Sequence, residues 1–226
     1  MVAVVLLAAV GAVGAAAEKP FRVGVYIYGY PMAEAAQDEN TPIGKFIDKH
    51  FKILSENGVN AAYLGGTGGK HFDDYLAAAA KHGIALIPQL NFAYFQGPKW
   101  SEKTMAAYAR NAGEFIVRYQ DRPEILAWSV KEEVHPDWVD QLARYYTMIR
   151  EQAPGAKFNL IHSNLPAAHN LPPPDPAIVG TDRYAFYWTS SGKGYLASPS
   201  YALNWTRQQA AAFYPEAARR GADYML

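Results

Sequence analysis

The chain has 226 residues with 21 basic and 21 acidic side chains, so it carries neither the basic footprint of a nucleic-acid binder nor a polybasic surface for anionic lipid. Half of the residues are hydrophobic and 14% are aromatic, which suffices for a core and leaves amphipathic rings for a cleft that takes a neutral or weakly charged ligand. The absence of cysteine excludes disulfides, thiolate metal sites and a cysteine nucleophile.

Met1 to Ala17 is almost wholly Ala, Val, Leu and Gly and closes on Ala15-Ala16-Ala17 before Glu18, the small-residue pattern that signal peptidase accepts. We therefore expect a signal peptide over 1–17, a mature domain over 18–226 and a secreted or periplasmic location. The stretch is short for a permanent membrane helix, so no membrane attachment is expected after cleavage; a buried N-terminal strand or helix is the alternative.

Beyond Pro20, short β-branched or aromatic runs alternate with longer helical patterns, as in a parallel sheet wrapped by helices. The first strand is expected over Arg22 to Tyr28, followed by an irregular Gly/Pro stretch and a helix over Ile43 to Glu56 that Asn57-Gly58 ends. A second strand, Val59 to Leu64, leads into Gly65-Gly66-Thr67-Gly68-Gly69 and a helix over Phe72 to Lys81. That glycine run lacks the spacing of a phosphate cradle, and Asp73-Asp74 at the start of the helix would repel an anion, so it reads as a loop. The third strand is Ile84 to Leu90, Ser101 caps a helix over Glu102 to Tyr119, and the fourth strand is Ile125 to Lys131. A helix from near Pro136 to Gln152, a strand over Lys157 to His162 and a strand over Ala177 to Asp182 follow. A last helix, about Tyr201 to Arg220, precedes Ala222 to Leu226, which reads as the opening of a seventh strand.

About six strands and the start of a seventh do not close an eight-stranded barrel, which takes about 250 residues. The expected fold class is therefore α/β, an incomplete (β/α)8 TIM barrel truncated at its C-terminus. In such a fold the carboxyl ends of the strands open into one cleft. The fourth strand brings Glu132 and Glu133 to that end, where a carboxylate is positioned for acid/base work; as first-turn acids of the following helix they would serve only its dipole.

The segment Pro123 to Glu133, PEILAWSVKEE, resembles the fourth-strand motif of the retaining TIM-barrel glycoside hydrolases, the superfamily of β-galactosidases, cellulases and β-mannanases. That motif commonly reads P-x-I-x-x-W-x-x-x-N-E-P; Pro123, Ile125 and Trp128 match it, and Glu133 takes the place of the acid/base. Glu132 stands where the motif has Asn and Val134 where it has Pro. The resemblance implies a carbohydrate substrate, no cofactor and a second Glu, the nucleophile, at the end of strand seven, beyond Leu226. Val179 to Trp188 resembles the segment that places an aromatic near the catalytic carboxylates, which implies sugar-binding roles for Asp182, Tyr184 and Trp188 or Tyr187.

On the strand reading, Tyr26 and Tyr28, Gln89 and Asn91, and His162 and Asn164 all end strands at the same rim, so they converge as substrate-binding candidates. Two other readings stay open. Glu132 or Glu133 with His135, His162 and Asp182 could hold a divalent metal, as in sugar-isomerase-like barrels, although no tight ligand spacing marks them. A rim that holds sugar without cleaving it is the other.

Overall fold

The computed structural model describes residues 22, 24–66, 71–97, 100–132, 136–162, 178–181, 186–188, 194–196 and 223–225, with single helical positions at 208, 211, 215, 218 and 219. Strand β1 (Gly24–Tyr28) is followed by helices α1 (Gly29–Asp38) and α2 (Ile43–Glu56). Strand β2 (Ala61–Gly65), helix α3 (Phe72–His82) and strand β3 (Ala85–Pro88) come next. Helix α4 (Glu102–Tyr119) and helix α5 (Val139–Gln152) precede β4 (Asn159–His162), β5 (Ile178–Thr181), the hairpin β6 (Phe186–Trp188) and β7 (Gly194–Leu196), and β8 (Asp223–Met225).

The helices follow their apolar spacing. In α2, Ile43, Phe46, Ile47, Phe51 and Leu54 fall on one stripe, and Gly58 at φ +79° ends the helix in a conformation that a side chain would strain. The Ser101 hydroxyl caps α4 by accepting from the Thr104 N–H at 3.2 Å. One expectation fails here: residues 29–38 form a helix, not an irregular stretch. Pro31 sits in its first turn, where a backbone N–H has no partner within the helix, so the proline that suggested a break costs no hydrogen bond.

Strands β1, β2 and β3 pair in parallel in that order, and β4, β5 and β8 do the same. Segment 125–129 joins the two sets through parallel bridges from Ile125 to Leu86, Ser129 to Gln89 and Trp128 to Phe158. The parallel staves therefore follow one another in chain order, as in an α/β barrel; among the described residues no pairing closes β8 onto β1.

Segment 125–129 differs from the continuous strand expected over 125–131. Between its two bridges to β3 the register slips by one residue, since Leu86 pairs with Ile125 but Gln89 with Ser129. Leu126 N–H donates to Leu86 O at 2.9 Å, and the next bond into β3 comes from Ser129 N–H to Pro88 O, also at 2.9 Å. Pro88 has no N–H to return, so the ladder is interrupted there and a bulge takes up the extra residue.

The two sides of the sheet are distinct. Val25, Ile27, Leu64, Leu86, Trp128 and Val130 pack with helical residues such as Phe51, Phe72, Ile116 and Tyr145 into the main core. Tyr63, Ile87 and Ala127, with Tyr26 and Leu126 against them, form a smaller cluster on the face turned away from the helices. Leu126 and Ala127 are consecutive and share that inner face, which is the signature of the bulge in side-chain terms.

Candidate active site

Glu132 follows the bulged segment at the carboxyl end of its stave. Its Oε1 accepts from the Tyr26 hydroxyl at 2.9 Å, and its backbone N–H donates to the Tyr94 hydroxyl oxygen at 3.2 Å. The residue is thus tied to β1 on one side and to the loop after β3 on the other. Tyr26 is itself held: its ring stacks on Tyr63 at 4.5 Å and lies against Tyr28 at 4.6 Å. Gly65 makes room for it, because a Cβ there would come within 2.8 Å of Tyr26 Cε1 and Oη.

Burial raises the Tyr26 phenol well above the usual range, and the neighbouring Glu132 charge and hydrogen bonds to Tyr28 and Glu132 push it the same way. The Tyr63 phenol is raised chiefly by burial and next by the Glu132 charge; its hydroxyl donates to Ser129 Oγ at 2.7 Å. Both phenols therefore stay protonated, Tyr26 donating to Glu132 and Tyr63 to Ser129.

Polar side chains share one level of the sheet. Tyr28 stands opposite Gly65, Gln89 opposite Ser129, and Asn159 lies next to Ser129, one residue past the Trp128 to Phe158 bridge. Two residues lower the inner face turns to Tyr26, Tyr63, Ile87 and Ala127. Asn159 is fully buried, and neither Oδ1 nor Nδ2 has a hydrogen-bond partner among the described residues. Beside Glu132, the Lys131 ammonium sits 4.7 Å above the Tyr94 ring and 5.2 Å above Trp138, a pair of cation–π contacts. Trp138 in turn covers Gly97, whose φ of +80° and lack of a Cβ let the indole approach.

The structure brings several expected residues to this mouth. Tyr28 is exposed and flanks Gly66 together with Asn91 Nδ2, Asn91 opens a short 3-10 turn (Asn91–Ala93), and Gln89 is buried. His162 ends β4 and Tyr187 and Trp188 end β6 in backbone terms, but their side chains lie outside the described residues. Glu133, His135, Asn164, Asp182 and Tyr184 also lie outside the described residues. Of the five proposed metal ligands only Glu132 has a described side chain, and among the described residues no three His, Asp or Glu side chains group together.

Tyr63 and Tyr94 lie against Glu132, Lys131 and Trp138 stack beside it, Ser129 takes the Tyr63 hydroxyl and Asn159 adjoins Ser129; none of these was singled out from the sequence. Tyr63 had a readable sign, since it occupies the same alternating position in the second strand as Tyr26 does in the first. Tyr94 had none, because its role depends on how the loop after β3 folds back.

No family model matches the chain, and no curated protein matches it in sequence. Solved structures do match in fold. An FMN-binding β-glucuronidase from Facaelibacterium prausnitzii L2-6 superposes with a TM-score of 0.54 at 18% identity, covering 74% of this chain and 25% of that one. A β-glucuronidase from an uncultured Clostridium sp. gives 0.52 at 17% identity over 79% of this chain and 30% of that one. The β-D-glucuronidase of Dictyoglomus thermophilum gives 0.50 at 18% identity, with 74% and 30% covered. The chain thus spans under a third of the length of these enzymes. At such identities the likeness is one of fold: the parallel β/α order seen here is shared with part of glycoside hydrolases of the TIM-barrel kind.

Proposed function

We propose that the chain belongs to a glycoside hydrolase that cleaves O-glycosidic bonds of oligo- or polysaccharides with retention. The observation that carries the reading is the Glu132 carboxylate at the end of its stave, anchored by Tyr26 in a mouth lined by tyrosines. Glu133, matched to the acid/base of the fourth-strand motif, protonates the leaving oxygen and then takes the proton from the attacking water. The nucleophile is a Glu at the end of the seventh stave, about 5–5.5 Å from the acid/base in a retaining site. Tyr28, Gln89, Asn91, His162, Asn164, Asp182, Tyr184 and Trp188 would bind sugar around them. Segment 1–17 acts as the export signal and 18–226 as part of the catalytic domain, which fits a glycan substrate met outside the cytoplasm.

The test is turnover of aryl-glycosides by protein expressed from the full reading frame, wild type beside Glu133→Gln. General acid/base catalysis contributes roughly 10²–10⁴-fold, so a loss of that order is expected. Equal turnover overturns the role of Glu133, and no turnover of any glycoside by wild type overturns the reading as a whole.

A further inference from the structure

Glu132 occupies the place at which the fourth-strand motif carries a neutral Asn, and its setting here gives that change a consequence. A carboxylate only accepts hydrogen bonds, with about four lone-pair positions on its two oxygens. Tyr26 uses one of them at 2.9 Å, Tyr63 lies near enough to sense the charge but gives its proton to Ser129, and no ion pair to Glu132 is seen among the described residues. Neither phenol brings positive charge. The ammonium of the adjacent Lys131 is stacked on Tyr94 and Trp138. Tyr26, pinned between Tyr28 and Tyr63 and over Gly65, holds the carboxylate in place, so the mouth presents a fixed, half-buried negative acceptor.

We propose that Glu132 sets substrate class: its Tyr26-anchored carboxylate selects glycans that offer an ammonium or hydroxyl donor at this mouth and rejects glycans of uronic acids. The inference rests on the glycosidase reading and runs against simple transfer of substrate from the β-glucuronidases that share the fold. An ammonium replaces a lost water contact with a charge-assisted hydrogen bond. A sugar carboxylate at the same spot brings like charge beside a group in a tyrosine-lined, partly dehydrated setting, where repulsion exceeds its value in bulk water.

The experiment is calorimetric titration of protein from the full reading frame with three oligosaccharides of equal length: neutral β-1,4-glucan, its fully deacetylated amino-sugar analogue and a β-linked uronic-acid oligomer. The protein with Glu132 intact, wild type at that position, is compared with Glu132→Gln, both carrying Glu133→Gln so that the sugars bind without being cleaved. The amino sugar is expected to bind at least tenfold more tightly than the uronic acid, and Glu132→Gln to bring that ratio below about threefold. A wild-type ratio near one, or a ratio unmoved by the substitution, overturns the proposal while the glycosidase reading stands. Absence of binding by all three sugars overturns the proposal, while the glycosidase reading falls only if wild type turns over no glycoside. Should Glu132→Gln fail to fold, the wild-type ratio between 0.05 and 1 M salt decides in its place, because a preference made by charge shrinks as the Debye length falls from about 14 to 3 Å, and a constant ratio overturns it.

Discussion

Gly65→Ala tests whether the tyrosine stack is the support of Glu132. The added Cβ would stand 2.8 Å from both Cε1 and Oη of Tyr26 and 3.1 Å from Cζ. Carbon atoms settle at about 3.5–4.0 Å, so the ring must retreat by roughly 0.7 Å or more. It has little room to do so, with Tyr63 stacked at 4.5 Å and Tyr28 at 4.6 Å. Overpacking of this kind costs about 1–3 kcal/mol, and a displaced Tyr26 also weakens its bond to the carboxylate, whose full net worth is about 1.5–3 kcal/mol. We expect a loss of about 2–4 kcal/mol. With a urea slope of about 2 kcal/mol per molar, the midpoint of an unfolding curve followed by tryptophan fluorescence falls by about 1–2 M. The same substitution in a Tyr26→Ala background should be nearly free, because the clashing ring is gone. A loss below about 0.5 kcal/mol in the parent, or an equal loss in both backgrounds, refutes the account.

The phenols of Tyr26, Tyr63, Tyr145 and Tyr146 are raised mainly by burial, and that of Tyr75 is pushed up to about 12 by the same cause. Each binds its proton more tightly folded than unfolded, so the stability linked to it is whole below the ordinary phenol value of about 10 and is lost as pH rises through the folded values. Urea midpoints should hold steady to about pH 10 and fall beyond it, and absorbance at 295 nm should leave these tyrosines un-ionised in native protein at pH 11; full ionisation of the native protein there would contradict this. Ser101→Ala removes the cap of α4 and should cost about 1 kcal/mol, which thermal unfolding monitored by far-UV circular dichroism would resolve.

Much of the scaffold was legible because it depends on local patterning. The stripe of Ile43, Phe46, Ile47 and Phe51 and the stop at Gly58 placed α2 at its observed ends, and the alternating apolar runs placed β2 and β3 within two residues. The helix at 29–38 was missed because Gly29 and Pro31 are breakers in a helix interior but harmless at its start. The tie from Tyr26 to Glu132 spans 106 residues, and no local pattern encodes it. Strand ends indicated that both lie at one rim; that they touch, and that Tyr94 takes the Glu132 N–H, depends on loop paths set by tertiary packing.

The bulge explains how the fourth stave serves both faces of the sheet. With unbroken alternation from Ile125, which packs on the helix side, Trp128 would have pointed to the inner face and Ala127 and Ser129 to the helices. The extra residue reverses this. Trp128 turns into the main core, 2% exposed, with its ring centroid 6.1 Å from Phe72 and 6.0 Å from Phe115. Ala127 and Ser129 turn inward, where small side chains leave space for the Tyr26 and Tyr63 rings and where Ser129 receives the Tyr63 hydroxyl. Large and small residues alternate here in the phase that only the slipped register satisfies. The same slip that breaks the ladder at Pro88 therefore makes room for the tyrosine stack on which the Glu132 carboxylate depends.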